Sequence, residues 1–181
     1  MSKHGEQGAD RGADRGPRGG TPAIVELERA GHAFAVHEFG HDPAERSYGL
    51  AAAAALGVEP DRVFKTLLAD VVDQRGVTVQ AVGIVPVTMQ LSLKELAAAV
   101  GGKRAEMCDP VVAQRITGYV IGGISPFGQK KRLPTVIDET CLLWETIFVS
   151  GGKRGLDLEL TADVLVEQLA AIVADIAVAG R

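Results

Sequence analysis

Three short stretches carry residue types whose spacing suits chemistry on a bound anion or ester. Lys65 and Thr66 sit in VFKTLL, Val63 to Leu68. The long stretch GYVIGGISPFGQKKRLPTVID, Gly118 to Asp138, places Gly122, Gly123 and Ser125 ahead of the cations Lys130, Lys131 and Arg132. VSGGKRGLDLEL, Val149 to Leu160, adds Ser150, Lys153, Arg154 and Asp157. Residues without Cβ let backbone N–H groups approach an anion or ester closely, so the three stretches are expected to form one site. Turns between strands are the plain alternative for such glycines. Lys65, with the apolar Phe64 and Leu67 nearby, also fits a charge that guards an edge strand, and Asp157 fits a structural pair with Lys153 or Arg154.

Other candidates are weaker. Cys108 and Cys141 lie far apart with no CxxC spacing and no neighbouring His, the pattern of inert reduced thiols in a cytosolic chain. His37 and His41 stand near Asp42, but a strand followed by a turn does not present them as helical i, i+4 ligands would be. No metal and no cofactor are expected.

The elements that must hold these residues follow from caps and periodicity. Residues 1–20 repeat GADRG, bury nothing and read as a disordered Gly-rich tail. Residues 21–181 then form one domain. Thr21 and Pro22 open a first helix that Gly31 stops. Phe34 to Phe39 reads as a strand, and Ser47 as the cap of an alanine-rich helix reaching Leu56 and closed by Gly57. Strands are expected at Val63–Val72 and Val77–Val85. A capping box, Ser92 to Glu95, starts a helix ending at Gly101. Lys103–Met107 reads as a strand, and Asp109-Pro110 opens a helix that Gly118 ends. Further strands are expected at Tyr119–Ile121, Thr135–Asp138, Thr146–Ser150 and Leu156–Leu160. Thr161 caps a last helix carrying Leu165, Leu169, Ile172, Val173 and Ile176 on one face. Strands clustered centrally with helices at both ends and between indicate an α+β fold with a mixed, curled, barrel-like sheet.

Composition bounds the function. The 181 residues are 46% hydrophobic but only 4% aromatic, so the core is aliphatic. Apolar runs break well before the roughly 20 residues a bilayer requires, and no signal peptide is visible. A cytoplasmic, membrane-free protein is expected. A formal net charge of -4 argues against a non-specific nucleic-acid coat. The cations Lys103, Arg104, Arg115, Lys130, Lys131, Arg132, Lys153 and Arg154 nevertheless concentrate in one third of the chain, compatible with docking one end of a nucleic acid.

Taken together, HDPAERSYG (His41 to Gly49), VFKTLL, the stretch Asp109 to Asp138 and FVSGGKRGLDLEL (Phe148 to Leu160) resemble the YbaK/EbsC family. These are free-standing Cys-tRNA(Pro) deacylases related to the editing domain inserted in some prolyl-tRNA synthetases. The resemblance runs from about Thr21 to the last helix. It implies a trans-editing aminoacyl-tRNA deacylase whose pocket receives the aminoacylated 3′ end of tRNA and releases a wrongly attached amino acid. The family's lysine matches Lys65, and its loop glycine matches Gly122; these are the implied catalytic positions. Phe39, Ser47, Tyr48, Thr66, Gly123, Ile124, Ser150 and Asp157 are the implied substrate-binding positions. The family often has Tyr at Phe39 and Phe at Tyr48.

The same resemblance implies substrate-assisted chemistry, in which the cysteinyl sulfur attacks its own ester carbonyl, expels the tRNA and leaves a cyclic thioester that opens in water. Such a device answers a selectivity limit: cysteine fits a proline pocket, and small apolar differences are worth only about 1–3 kcal/mol. A free thiol is about 3% thiolate at neutral pH, and an internal nucleophile held close gains greatly over an external one. A deacylase for another small amino acid such as alanine, or a non-catalytic synthetase-binding module, are the alternatives. Prolyl-tRNA synthetase is the expected protein partner, since the chain carries no separate tRNA-binding domain.

Overall fold

Capping chemistry sets the ends of most helices. In the computed structural model, which describes residues 20–180, helix α1 (Pro22–Ala30) starts where Thr21 Oγ1 accepts from the Ile24 N–H at 3.4 Å and stops at Gly31 with φ 72°. The expected Gly-rich tail lies, but for its last residue, outside the described residues. Strand β1 (Ala35–Glu38) follows, then helix α2 (Tyr48–Leu56), closed by Gly57. Strands β2 (Phe64–Val72) and β3 (Thr78–Pro86) form a long hairpin, and β4 (Met89–Leu91) is a short strand that the sequence pattern missed. Helix α3 (Leu93–Ala99) is capped by Ser92, and strand β5 (Arg104–Met107) precedes helix α4 (Pro110–Thr117), whose Asp109 carboxylate accepts from the Val111 and Val112 N–H groups.

Strands β6 (Thr135–Asp138), β7 (Ile147–Lys153) and β8 (Leu156–Leu160) come next, followed by helix α5 (Ala162–Leu169) and strands β9 (Ile172–Ala174) and β10 (Ala177–Ala179). Two expectations are corrected here. Tyr119–Ile121 is a turn, held by Tyr119 Oη donating to the Phe127 carbonyl at 2.7 Å and by Gln114 Oε1 accepting from the Ile121 N–H at 3.0 Å. The last helix ends at Leu169, where Ala170 takes φ 49°, so Ile172 and Val173 belong to a strand instead. Their β-branched chains favour a strand over a helix, and β6 supplies the edge they pair with.

The central sheet has the order β5-β2-β3-β6-β9, antiparallel on the β2 side and parallel from β3 to β9. A second antiparallel sheet runs β1-β8-β7, and β10 pairs with β4. A single parallel bridge, Val63 to Phe148, ties the start of β2 to β7. This is the mixed, curled α+β architecture expected, with the curl carried by that bridge rather than by full closure among the described residues. Alternation along β2 sends Phe64 and Leu68 into the main core with Leu27, Ile84, Phe127 and Leu158, while Ala69 meets Leu96 and Ile176 on the other side.

Candidate functional site

Strand β2 is paired unevenly, and the site grows from that fact. On one edge β3 accompanies it throughout, whereas β5 reaches only Ala69 to Val72, and the Cys108 N–H donates to the Leu68 carbonyl at 3.0 Å. From Phe64 to Leu67 no strand pairing to the other edge is made among the described residues beyond the bridge at Val63. A cavity of about 780 Å³ lies against it, closed by α2, the start of α4, the Ile121–Ile124 turn and the β7–β8 hairpin. The three stretches singled out in the sequence therefore meet. Lys65, Thr66, Phe39, Ser47, Tyr48, Gly122, Ile124, Ser150 and Asp157 all line this cavity.

Gly123 does not. Its backbone is packed on Lys153 and Arg154, so that a Cβ would stand 2.9 Å from the Lys153 Cα, and its N–H donates to the Val120 carbonyl at 2.9 Å. That bond closes a turn from Val120 to Gly123 with Gly122 at φ 84°, the position of a type II turn that favours glycine. A Cβ on Gly122 would meet the Tyr48 ring at 2.6 Å. No acceptor among the described residues takes the Gly122 N–H. The Arg154 guanidinium donates from Nε and Nη2 to the Ile121 carbonyl, at 3.0 and 2.7 Å, and lies 4.5 Å from the centre of the Tyr48 ring.

The polar side chains in the cavity are unusual in what they lack. Lys65 makes no ion pair among the described residues, and burial lowers its pKa from the ordinary lysine value. Thr66 Oγ1 is buried without a hydrogen-bond partner, a cost of about 1–3 kcal/mol unless a ligand answers it. Asp157 is only 7% exposed, pairs with neither Lys153 nor Arg154, and burial pushes its carboxyl up to about 7. Lys153 instead faces Glu38 at 3.7 Å. A carboxyl titrating near neutrality can give or take a proton at working pH. Ser150 Oγ accepts from the Gly152 N–H at 3.2 Å.

Ser47 is exposed at the cavity rim and makes no side-chain cap to α2, so the capping role expected of it is corrected. Glu45 takes over locally, its carboxylate accepting from the Arg46 and Ser47 N–H groups. The cations Lys130, Lys131 and Arg132 are exposed and stand outside the cavity lining, with Arg132 donating to the Gln168 carbonyl near α5. His37 bonds Glu159 at 2.9 Å. Sequence reasoning named Arg154 among the cations of its stretch but gave it no place among the catalytic or binding positions; its position beside the glycines of a hairpin turn was the available signal. It also missed the open edge of β2, which depends on where β5 stops.

The model of the aminoacyl-tRNA editing domain matches residues 43–167. Over 113 residues the chain is 40% identical to EbsC of Enterococcus faecalis, a proposed Cys-tRNA(Pro)/Cys-tRNA(Cys) deacylase, covering 62% of this chain and 66%, just under two thirds, of that protein. A multifunctional Ser/Thr-tRNA deacylase of Escherichia coli K12, ProXp-y, is 35% identical over 63 residues, 35% of this chain and 38% of the relative. A crystal structure of a proposed trans-editing enzyme for prolyl-tRNA synthetase superposes with a TM-score of 0.73 at 27% identity, over 87% of this chain and 95% of that one. With the match spanning all the cavity-lining stretches but Phe39 to Asp42, the chain belongs to the aminoacyl-tRNA editing domain family.

Proposed function

We propose that this protein is a trans-editing deacylase that removes cysteine from mischarged Cys-tRNA(Pro), acting in the cytoplasm where tRNA is charged. One observation carries it: among the described residues the cavity gathers an unpaired lysine, an orphaned hydroxyl, a carboxyl titrating near 7 and a free glycine N–H, yet no activated protein nucleophile. Cys108 lines the cavity, but burial, with Asp70 beside it, pushes the thiol up to about 11, so at neutral pH it is almost wholly protonated. No hydroxyl in the lining is hydrogen-bonded to a histidine among the described residues. A site built this way suits a substrate that brings its own nucleophile.

In that mechanism the cysteinyl thiol loses its proton and the sulfur attacks the ester carbonyl carbon. The Gly122 N–H stabilises charge on the carbonyl oxygen. The C–O bond to the terminal ribose then breaks, the ribose oxygen takes a proton and leaves with the tRNA, and water later opens the cyclic thioester. In this reading Asp157, one of the lining groups, carries one of these protons, and Lys65 binds the ribose, a phosphate or the aminoacyl group. The 40% identity to EbsC supports the choice of cysteine.

Deacylation of Cys-, Ala- and Pro-tRNA(Pro) measured side by side tests the proposal, with Ser-tRNA as a fourth substrate because of the ProXp-y relative. Rapid loss of cysteine alone is expected. Equal loss of alanine would mean that water, not a substrate thiol, attacks.

A further inference from the structure

Ile121 C=O and Gly122 N–H are two ends of one peptide group, the central peptide of the Val120–Gly123 turn. A peptide is planar and trans, so its C=O and N–H point in opposite directions and whatever fixes one fixes the other. In a turn with this geometry the central peptide is the part free to rotate: a flip of roughly 180° interconverts types II and I, and glycine at the third position tolerates both. The surroundings oppose that flip at one place. Arg154 grips the Ile121 oxygen with two N–H groups, at 3.0 and 2.7 Å, while its guanidinium rests 4.5 Å from the Tyr48 ring that packs on Gly122. The Gly123 backbone, seated on Lys153 and Arg154, holds the turn against the same hairpin.

We propose that Arg154 is a positioning residue: by clamping the Ile121 carbonyl it sets the direction of the Gly122 N–H and keeps it turned toward the substrate. Its second effect is polarisation, since a carbonyl that accepts two charge-assisted hydrogen bonds makes the N–H of the same peptide a stronger donor. The proposal rests on the reading above that Gly122 donates to the ester carbonyl. Arg154 is thereby distinguished from a phosphate anchor, because its Nε and one Nη are spent on the protein's own backbone.

Two measurements on Arg154→Met and Arg154→Lys decide it. In amide NMR spectra, the Gly122 resonance is expected to move and its hydrogen exchange to quicken in Arg154→Met, with a smaller change of the same sign in Arg154→Lys. In single-turnover and steady-state deacylation, kcat is expected to fall about 10- to 100-fold with KM held within about twofold, and lysine not to restore it, since a flexible ammonium does not reproduce the rigid fork whose two N–H groups converge on the Ile121 oxygen. An unchanged Gly122 amide in both variants overturns the clamp. A raised KM with kcat intact overturns it too and makes Arg154 a substrate-phosphate contact. If the wild-type protein deacylates none of the four aminoacyl-tRNAs while the Gly122 amide still responds to Arg154, the clamp stands and the deacylase reading falls.

Discussion

Thr66 and Asp157 are polar groups that the fold buries, one without a hydrogen-bond partner and one with its carboxyl shifted, and their energetics are opposite in kind. The Thr66 hydroxyl has no partner, so Thr66→Val removes a desolvated group at nearly constant shape; stability is expected to stay within about 1 kcal/mol of the parent or rise. Deacylation is expected to fall, and a full rate in that variant would remove Thr66 from substrate binding. Asp157 titrates near 7 when folded against about 3.9 in an unfolded chain, so between those values the folded state binds the extra proton. The contribution of Asp157 to stability is therefore greatest in acid and declines as pH rises from about 4 to about 7, by on the order of a few kcal/mol, levelling off above that. Urea unfolding of the parent and of Asp157→Asn across this range checks it: the variant's stability is expected to lack that decline. Lys65→Ala is expected to cost about 10- to 100-fold in deacylation, the worth of one charge-assisted hydrogen bond.

At the scale of elements, the two helix starts that look alike in sequence behave differently. Thr21 caps α1 and also donates to the Gly151 carbonyl in β7, whereas Ser47 caps nothing. Thermal unfolding is expected to show Thr21→Ala losing about 1 kcal/mol or more and Ser47→Ala losing less than about 0.5 kcal/mol. Legibility in the sequence follows the same division. Caps made by a residue's own neighbours, such as Thr21, Ser92, Asp109 and Thr161, are local and were readable, as were the glycine stops. The failures are non-local. Tyr119–Ile121 has strand-like residues but is held as a turn by Phe127 and Gln114, and Ile172–Ala174 becomes a strand because β6 offers it an edge. The cavity lining was largely readable because its residues cluster in contiguous motifs, but the roles expected of them came from the resemblance, not from spacing. The direction of Lys130–Arg132, away from the cavity, was set by the packing of their loop and was not.

For the molecule as a whole, an acidic body with a net charge of -4 gains little from the phosphate backbone of a tRNA. A protein so charged is expected to hold tRNA weakly alone and to act within a complex of prolyl-tRNA synthetase and tRNA. Pull-down at physiological salt with all three components, against each pair, tests this, and absence of the ternary species would sink it. The parallel half of the central sheet has a different consequence. Strand β6 pairs with β9 through Val136 to Ile172, and Asp138 accepts from the Ile176 and Ala177 N–H groups, so the sheet is completed by residues far downstream. During synthesis every cavity-lining residue leaves the ribosome before that edge can be covered. Until β9 docks, β6 presents a bare strand edge, and it is at that stage of folding that chaperone capture or strand-to-strand aggregation is expected to compete.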